Sequence, residues 1–125
     1  MTLADVLQAH PNLSVHGFKT DDLSAEKHAA GREVTPEFEA QFEAARIRLS
    51  RARITGSAKR SSYLVKHILE RMAQRYISNG ACIAAAYAVG MPVSTEHFGV
   101  SLNALLGINQ NDLKRWDRYR WPLKT

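Results

Sequence analysis

Cysteine is almost missing from this chain of 125 residues: Cys82 is the only one, so no internal disulfide can form. The five histidines, at positions 10, 16, 28, 67 and 97, show neither His-x-x-x-His nor Cys-x-x-Cys spacing, and no metal is expected. Long hydrophobic runs are also lacking. The longest, Ala81–Val89, continues only through Gly90 and Met91 before Pro92, well short of the roughly 18 residues that cross a bilayer, so no membrane partner is expected. There is no Gly-x-Ser-x-Gly elbow and no dinucleotide-binding glycine pattern, and the acidic residues of the first 45 positions lack a pairing suited to general acid and base roles. The expectation is a protein without catalysis and without a cofactor. A lone cysteine inside an Ala-rich run reads as a small buried hydrophobe in a reducing cytoplasm, and the opening Met-Thr-Leu-Ala-Asp lacks the cationic start of a secretory signal.

What is present suits one ordinary domain spanning residues 1–125. Apolar residues make up 45% and charged residues 23%, enough of each for a packed core and a wetted surface. The net charge of +5 is distributed unevenly. Residues 1–45 carry three basic and eight acidic side chains, whereas residues 46–75 carry nine basic and one acidic. Residues 111–125 add five basic and two acidic. Such asymmetry accompanies nucleic-acid contact, although an acidic segment folded back on a basic one gives the same numbers with no partner.

The periodicity predicts a mainly α fold, a compact domain of five or six helices around a central Ala-rich one. Thr2 and Asp5 resemble a capping pair ahead of Leu3, Val6 and Leu7, so a short helix should run to about His10. Residues 11–33 read as a loop, with a helical turn after Ser24. Thr35 and Pro36 open a helix over 36–53 along Phe38, Phe42, Ala45, Leu49 and Ala52. The glycine and serines of 55–62 form a connection, and a helix beginning near Ser62 carries Leu64, Val65, Ile68, Leu69, Met72, Tyr76 and Ile77 on one face, with Asn79-Gly80 as its stop. Ala81–Val89 should be a core helix; beyond Ser94-Thr95 a weaker pattern of Phe98, Val100, Leu102, Leu105, Leu106 and Ile108 suggests one or two short helices broken at Gly99 and Gly107, with a short strand at Phe98–Val100 as the other reading. Residues 111–125 form a basic, aromatic C-terminal helix that starts at Asn109 or Asn111.

Three features suggest function. The first is the tract Arg46–Arg60, with six basic residues and no acidic one, leading into a helix start whose free N–H groups and dipole favour anions. Its candidate phosphate contacts are Arg51, Arg53, Lys59, Arg60, Ser61, Ser62 and Lys66; the plainer reading of its arginines is a solvated helix end opposite Glu37, Glu39 and Glu43. The full spacing of a P-loop is absent. The second feature, Ala81–Ser101, partly matches a helix-turn-helix with Val89-Gly90-Met91 at the turn, but Thr95, Glu96 and His97 supply no Arg or Lys to reach guanine, and core packing is the simpler account. The third is the tail, where Arg115, Trp116, Tyr119, Arg120 and Trp121 alternate cations with aromatics. That combination stacks on single-stranded bases, anchors protein interfaces, or covers a core while its cations face water.

The block Arg60-Ser61-Ser62-Tyr63-Leu64-Val65-Lys66-His67, followed by Glu70 and by Tyr76-Ile77-Ser78-Asn79-Gly80-Ala81-Cys82-Ile83-Ala84-Ala85-Ala86, resembles one found in small uncharacterised proteins of plasmids, integrative elements and phages. The resemblance covers residues 60–86 and assigns no catalytic residue. It implies a mobile-element setting, in which small basic proteins bind nucleic acid or obstruct a host nucleoprotein machine. The expected partner is therefore DNA or RNA, or alternatively a protein of a nucleoprotein complex met through the tail, with homo-oligomerisation left open.

Overall fold

The computed structural model describes residues 1–95 and 100–118. In chain order the elements are α1 (Leu3–Ala9), β1 (Leu13–Ser14), β2 (Gly17–Phe18), α2 (Ala25–Gly31), α3 (Pro36–Leu49), β3 (Arg60–Ser61), α4 (Ser62–Ala73), α5 (Asn79–Ala88), β4 (Val93–Thr95), β5 (Ala104–Leu106) and α6 (Gln110–Arg118). The fold is helix-rich, as the periodicity predicts, with two small antiparallel sheets that it does not. One is the hairpin β1–β2; the other has the order β3-β5-β4, with Arg60 opposite Leu106 and Val93 opposite the same Leu106. Strands of two or three residues are too short to display a period-2 pattern.

The helix starts obey local chemistry. Thr2 and Asp5 form a reciprocal capping box on α1, and Thr35 accepts from Phe38 N with Pro36 in the first turn of α3. Helix α3 ends at Leu49, four residues before the expected boundary, with Ser50 as its C-cap. The 11–33 stretch holds more structure than a loop, because Ser24 caps the seven-residue α2 and Arg32 donates to the carbonyls of Leu7, His10, Pro11 and Leu13.

Two boundaries differ from those the periodicity suggests. Helix α4 stops at Ala73, where Gln74 takes the left-handed conformation (φ 54°), so Asn79 and Gly80 are the first turn of α5 and not the end of α4. Ser78 is the deciding signal: its side chain accepts from Ala81 N at 3.1 Å. Ser94 and Thr95, where a helix-turn-helix would open its second helix, lie in β4 and pair with Leu105 and Ala104, so that partial match fails, and Leu105 and Leu106, expected in a short helix, are in strand β5. The sheet pairing takes up the backbone groups of this segment in extended conformation. Glu96, His97 and Phe98 lie outside the described residues.

Helix α5 sits at the centre, packed against α3, α1, α4 and the β1–β2 hairpin. Its residues from Asn79 to Ala86 are all buried. Small side chains permit this closeness. A Cβ on Gly80 would lie 1.8 Å from the carbonyl oxygen of Ser14, and Gly80 N donates to Val15 O at 3.0 Å, so the hairpin backbone rests directly on the helix. Around α5, the fully buried Leu3, Leu13, Phe42, Leu49, Ile68, Leu69 and Ile83 complete the core. Leu64 and Tyr76, expected on the buried face of the α4 segment, are instead exposed.

Candidate nucleic-acid interface

The two basic runs, far apart in sequence, meet at the start of α6. Asn109 begins that helix by accepting from Asp112 N at 3.0 Å. Asp112 is only 2% exposed and serves as the anchor for Arg53, accepting from its backbone N at 2.8 Å and from its Nη2 at 2.9 Å. The Arg53 hydrogen bonds, opposed in part by burial, hold the Asp112 carboxyl below the usual aspartate range, with Arg115 adding a weaker pull through Nη2 at 3.3 Å. From this anchor the basic segment is laid along the chain that precedes α6. Asn109 N donates to Arg53 O, Ile54 bridges to Ile108, Thr55 N donates to Gly107 O, and Lys59 N donates to Leu106 O.

Arg60 follows on β3 and donates through Nη2 to Gln110 Oε1. Arg60 and Lys114 then line one small cleft with Leu64 and Leu113. Around Asp112 and the adjoining cleft the structure brings together a cationic face of Arg53 and Arg60 from one run and Lys114 and Arg115 from the other. Arg53 keeps 64% of its side chain exposed despite its pairing, because it approaches Asp112 from outside. Arg51 and Lys59 are exposed and have no side-chain partner among the described residues.

The acid-rich front of the chain does not neutralise this face among the described residues. Glu43 pairs with Arg46 one turn along its own helix, and Glu37 reaches Arg75. Arg48 is spent on the carbonyls of Ala44 and Met72. The carboxylate that pairs with cations of this face is Asp112, from the C-terminal run, and it serves Arg53 and Arg115 together. Asp117, at the margin of the small cleft, is engaged by Arg71.

Besides Arg53 and Arg60, which bond to Asp112 and Gln110, three more of the expected phosphate contacts are engaged within the protein. Ser61 caps α4 by accepting from Tyr63 N. Ser62 is fully buried; its hydroxyl donates to Asn79 Oδ1 at 2.8 Å and accepts from Ala104 N at 2.9 Å, holding β5 to the start of α5. Lys66 is 6% exposed and pairs with Glu70 at 3.0 Å. The start of α4 is therefore filled by its own side chains and by the β3–β5 pairing, and is not an open anion site. In the tail, Arg115 is exposed, but Trp116 is buried and covers the core, which removes it as a stacking or partner-binding residue. Tyr119, Arg120 and Trp121 lie outside the described residues.

Lys114 and Gln110 are members of the site that charge and spacing did not single out, although Asn109 three residues before Asp112, and Asp112 three before Arg115, are visible as a cap and an ion pair. Among the described residues no three His, Cys, Asp or Glu side chains gather to hold a metal, and no helix is long and apolar enough to cross a membrane. Cys82 is fully buried, and desolvation pushes its thiol up to about 12, so it is not a nucleophile at neutral pH. No protein-family model, curated protein or solved structure matches the chain.

Proposed function

We propose that the protein is a noncatalytic nucleic-acid-binding protein, a small cytoplasmic regulator of the kind encoded by mobile elements, which contacts phosphates through Arg51, Arg53, Lys59, Arg60, Lys114 and Arg115. The observation that carries this reading is the convergence of two basic runs on one face around the carboxylate of Asp112. An exposed cluster of guanidinium and ammonium groups repels itself and is relieved by a polyanion, which releases its own counterions on binding. Affinity for DNA or RNA should then fall steeply with salt. Replacing Arg51, Lys59 and Arg60 by Ala should lower the slope of log affinity against log salt by about one unit for each phosphate that the variant no longer neutralises. Binding that is unchanged between about 50 and 200 mM salt would refute the reading. The alternative, a protein contact through Arg115 and the residues that follow it, is weakened by the burial of Trp116.

A further inference from the structure

The outer face of α4 adjoins the cationic face and carries side chains that a folded domain ordinarily covers. Tyr63 is 53% exposed, with Leu64 and His67 exposed beside it, and Tyr76, in the connection that follows the helix, is 61% exposed. These rings are held in position. The Tyr63 and His67 rings meet edge to face at 4.4 Å. Lys66 Nζ lies 4.8 Å from the centroid of Tyr76 and 5.7 Å from that of Tyr63. Glu70 anchors the group, accepting from Lys66 and pairing with His67 Nδ1 at 3.0 Å. A largely buried ion pair thus props up two exposed aromatic rings.

The aromatic face runs continuously into the basic one. Leu64 belongs both to the cleft of Arg60 and Lys114 and to a groove of about 650 Å³ that reaches Arg71 and Tyr76. Tyr76, with Tyr63 and Lys66, then lines a further groove of about 940 Å³. The carboxylates that line the first groove are already engaged, Glu70 with Lys66 and His67, and Asp117 with Arg71. The path therefore offers cations at one end and ring faces at the other. Within a duplex the base faces are stacked on one another and cannot reach a tyrosine; in a single strand they can, while the backbone still meets the cations.

We infer that the preferred ligand is single-stranded nucleic acid, with phosphates on Arg60 and Lys114 and unpaired bases stacked on Tyr63 and Tyr76. This rests on the nucleic-acid reading above. Fluorescence anisotropy of the full chain tests it, using labelled oligo(dT) and oligo(rU) of about 15 nucleotides and a duplex of equal length. Tighter binding of one or both single strands than of the duplex is the expected result, and the better strand identifies DNA or RNA as the source. Tyr63→Ala and Tyr76→Ala should each weaken single-strand binding by roughly 5- to 150-fold. Duplex affinity and the salt slope should stay unchanged, and Tyr63→Phe and Tyr76→Phe should retain binding. Equal, salt-dependent binding of duplex and single strands would overturn the inference while leaving the basic-face reading intact, as would a single-strand preference that survives the double Tyr→Ala change. Absence of binding to any of the three probes would overturn both.

Discussion

Helices α4 and α5 are neighbours in sequence and pack on each other, yet they solve opposite problems. Helix α5 is built largely from Gly, Ala, Cys and Ile and is buried over most of its length, so three other helices and a hairpin can close around it. Helix α4 buries Val65, Ile68 and Leu69 on one side and leaves Tyr63, Leu64 and His67 in solvent on the other. Residue size marks the difference. Where side chains are small the backbone approaches and the fold is set; where they are large and left uncovered, surface remains for a ligand.

The sharpest way to break that contrast is to enlarge α5. Gly80→Ala places a methyl group against the Ser14 carbonyl, a backbone atom that cannot rotate away. The hairpin must move, and a loss of about 3 kcal/mol is expected, seen as a fall in Tm of roughly 10 °C by circular dichroism. An unchanged melt would mean that the hairpin is not seated on α5 as described.

The next effect belongs to the latch between the two basic runs. Asp112→Ala leaves Arg53 N without its acceptor and removes the charge that gathers Arg53 and Arg115, which should cost about 2 kcal/mol of unfolding free energy in urea titration. The same carboxyl predicts a pH dependence. Its pKa is lowered in the folded chain, first by the hydrogen bond from the Arg53 side chain, so its stabilisation is complete above the ordinary aspartate range of about 4 and is lost as pH falls through the lower folded value. The wild-type protein should therefore lose more stability across that acidic window than Asp112→Asn does. Parallel losses in the two proteins would show that Asp112 is not the group responsible.

The smallest effects on stability should come from the surface itself. Arg51→Ala, Lys59→Ala and Tyr63→Ala each alter an exposed side chain and should leave unfolding within about 0.5 kcal/mol of wild type. Their consequences should be confined to binding. A melt lowered well beyond that margin by any of the three would place the residue in the structural framework and not in the ligand face.

Local signals are readable wherever a short stretch of chain decides its own conformation. The Thr2–Asp5 box, the Thr35-Pro36 start and the Asn109 cap all stand where sequence spacing puts them, because each needs only three or four residues to close its hydrogen bonds. Ser78 carries the same information, but Asn79-Gly80 reads equally as a stop, and only the close approach of Ser14 shows why glycine stands there. The candidate site is half legible. Arg51, Arg53, Lys59 and Arg60 stand out by charge, whereas Ser62 and Lys66 share the same composition and are held inside by β5 and by Glu70.

Composition and periodicity alone determined a helix-rich domain with an Ala-rich centre and a cationic middle, since these follow from residue type and from repeats within single elements. Tertiary structure decided which cations remain uncovered, because neutralisation depends on carboxylates brought from distant parts of the chain. The partner of Arg53 turned out to be Asp112, 59 residues away, and not the acidic segment that precedes it. Tertiary structure likewise turned Trp116 inward and left Tyr63 and Tyr76 outward, a choice that the spacing of aromatics along the chain does not contain.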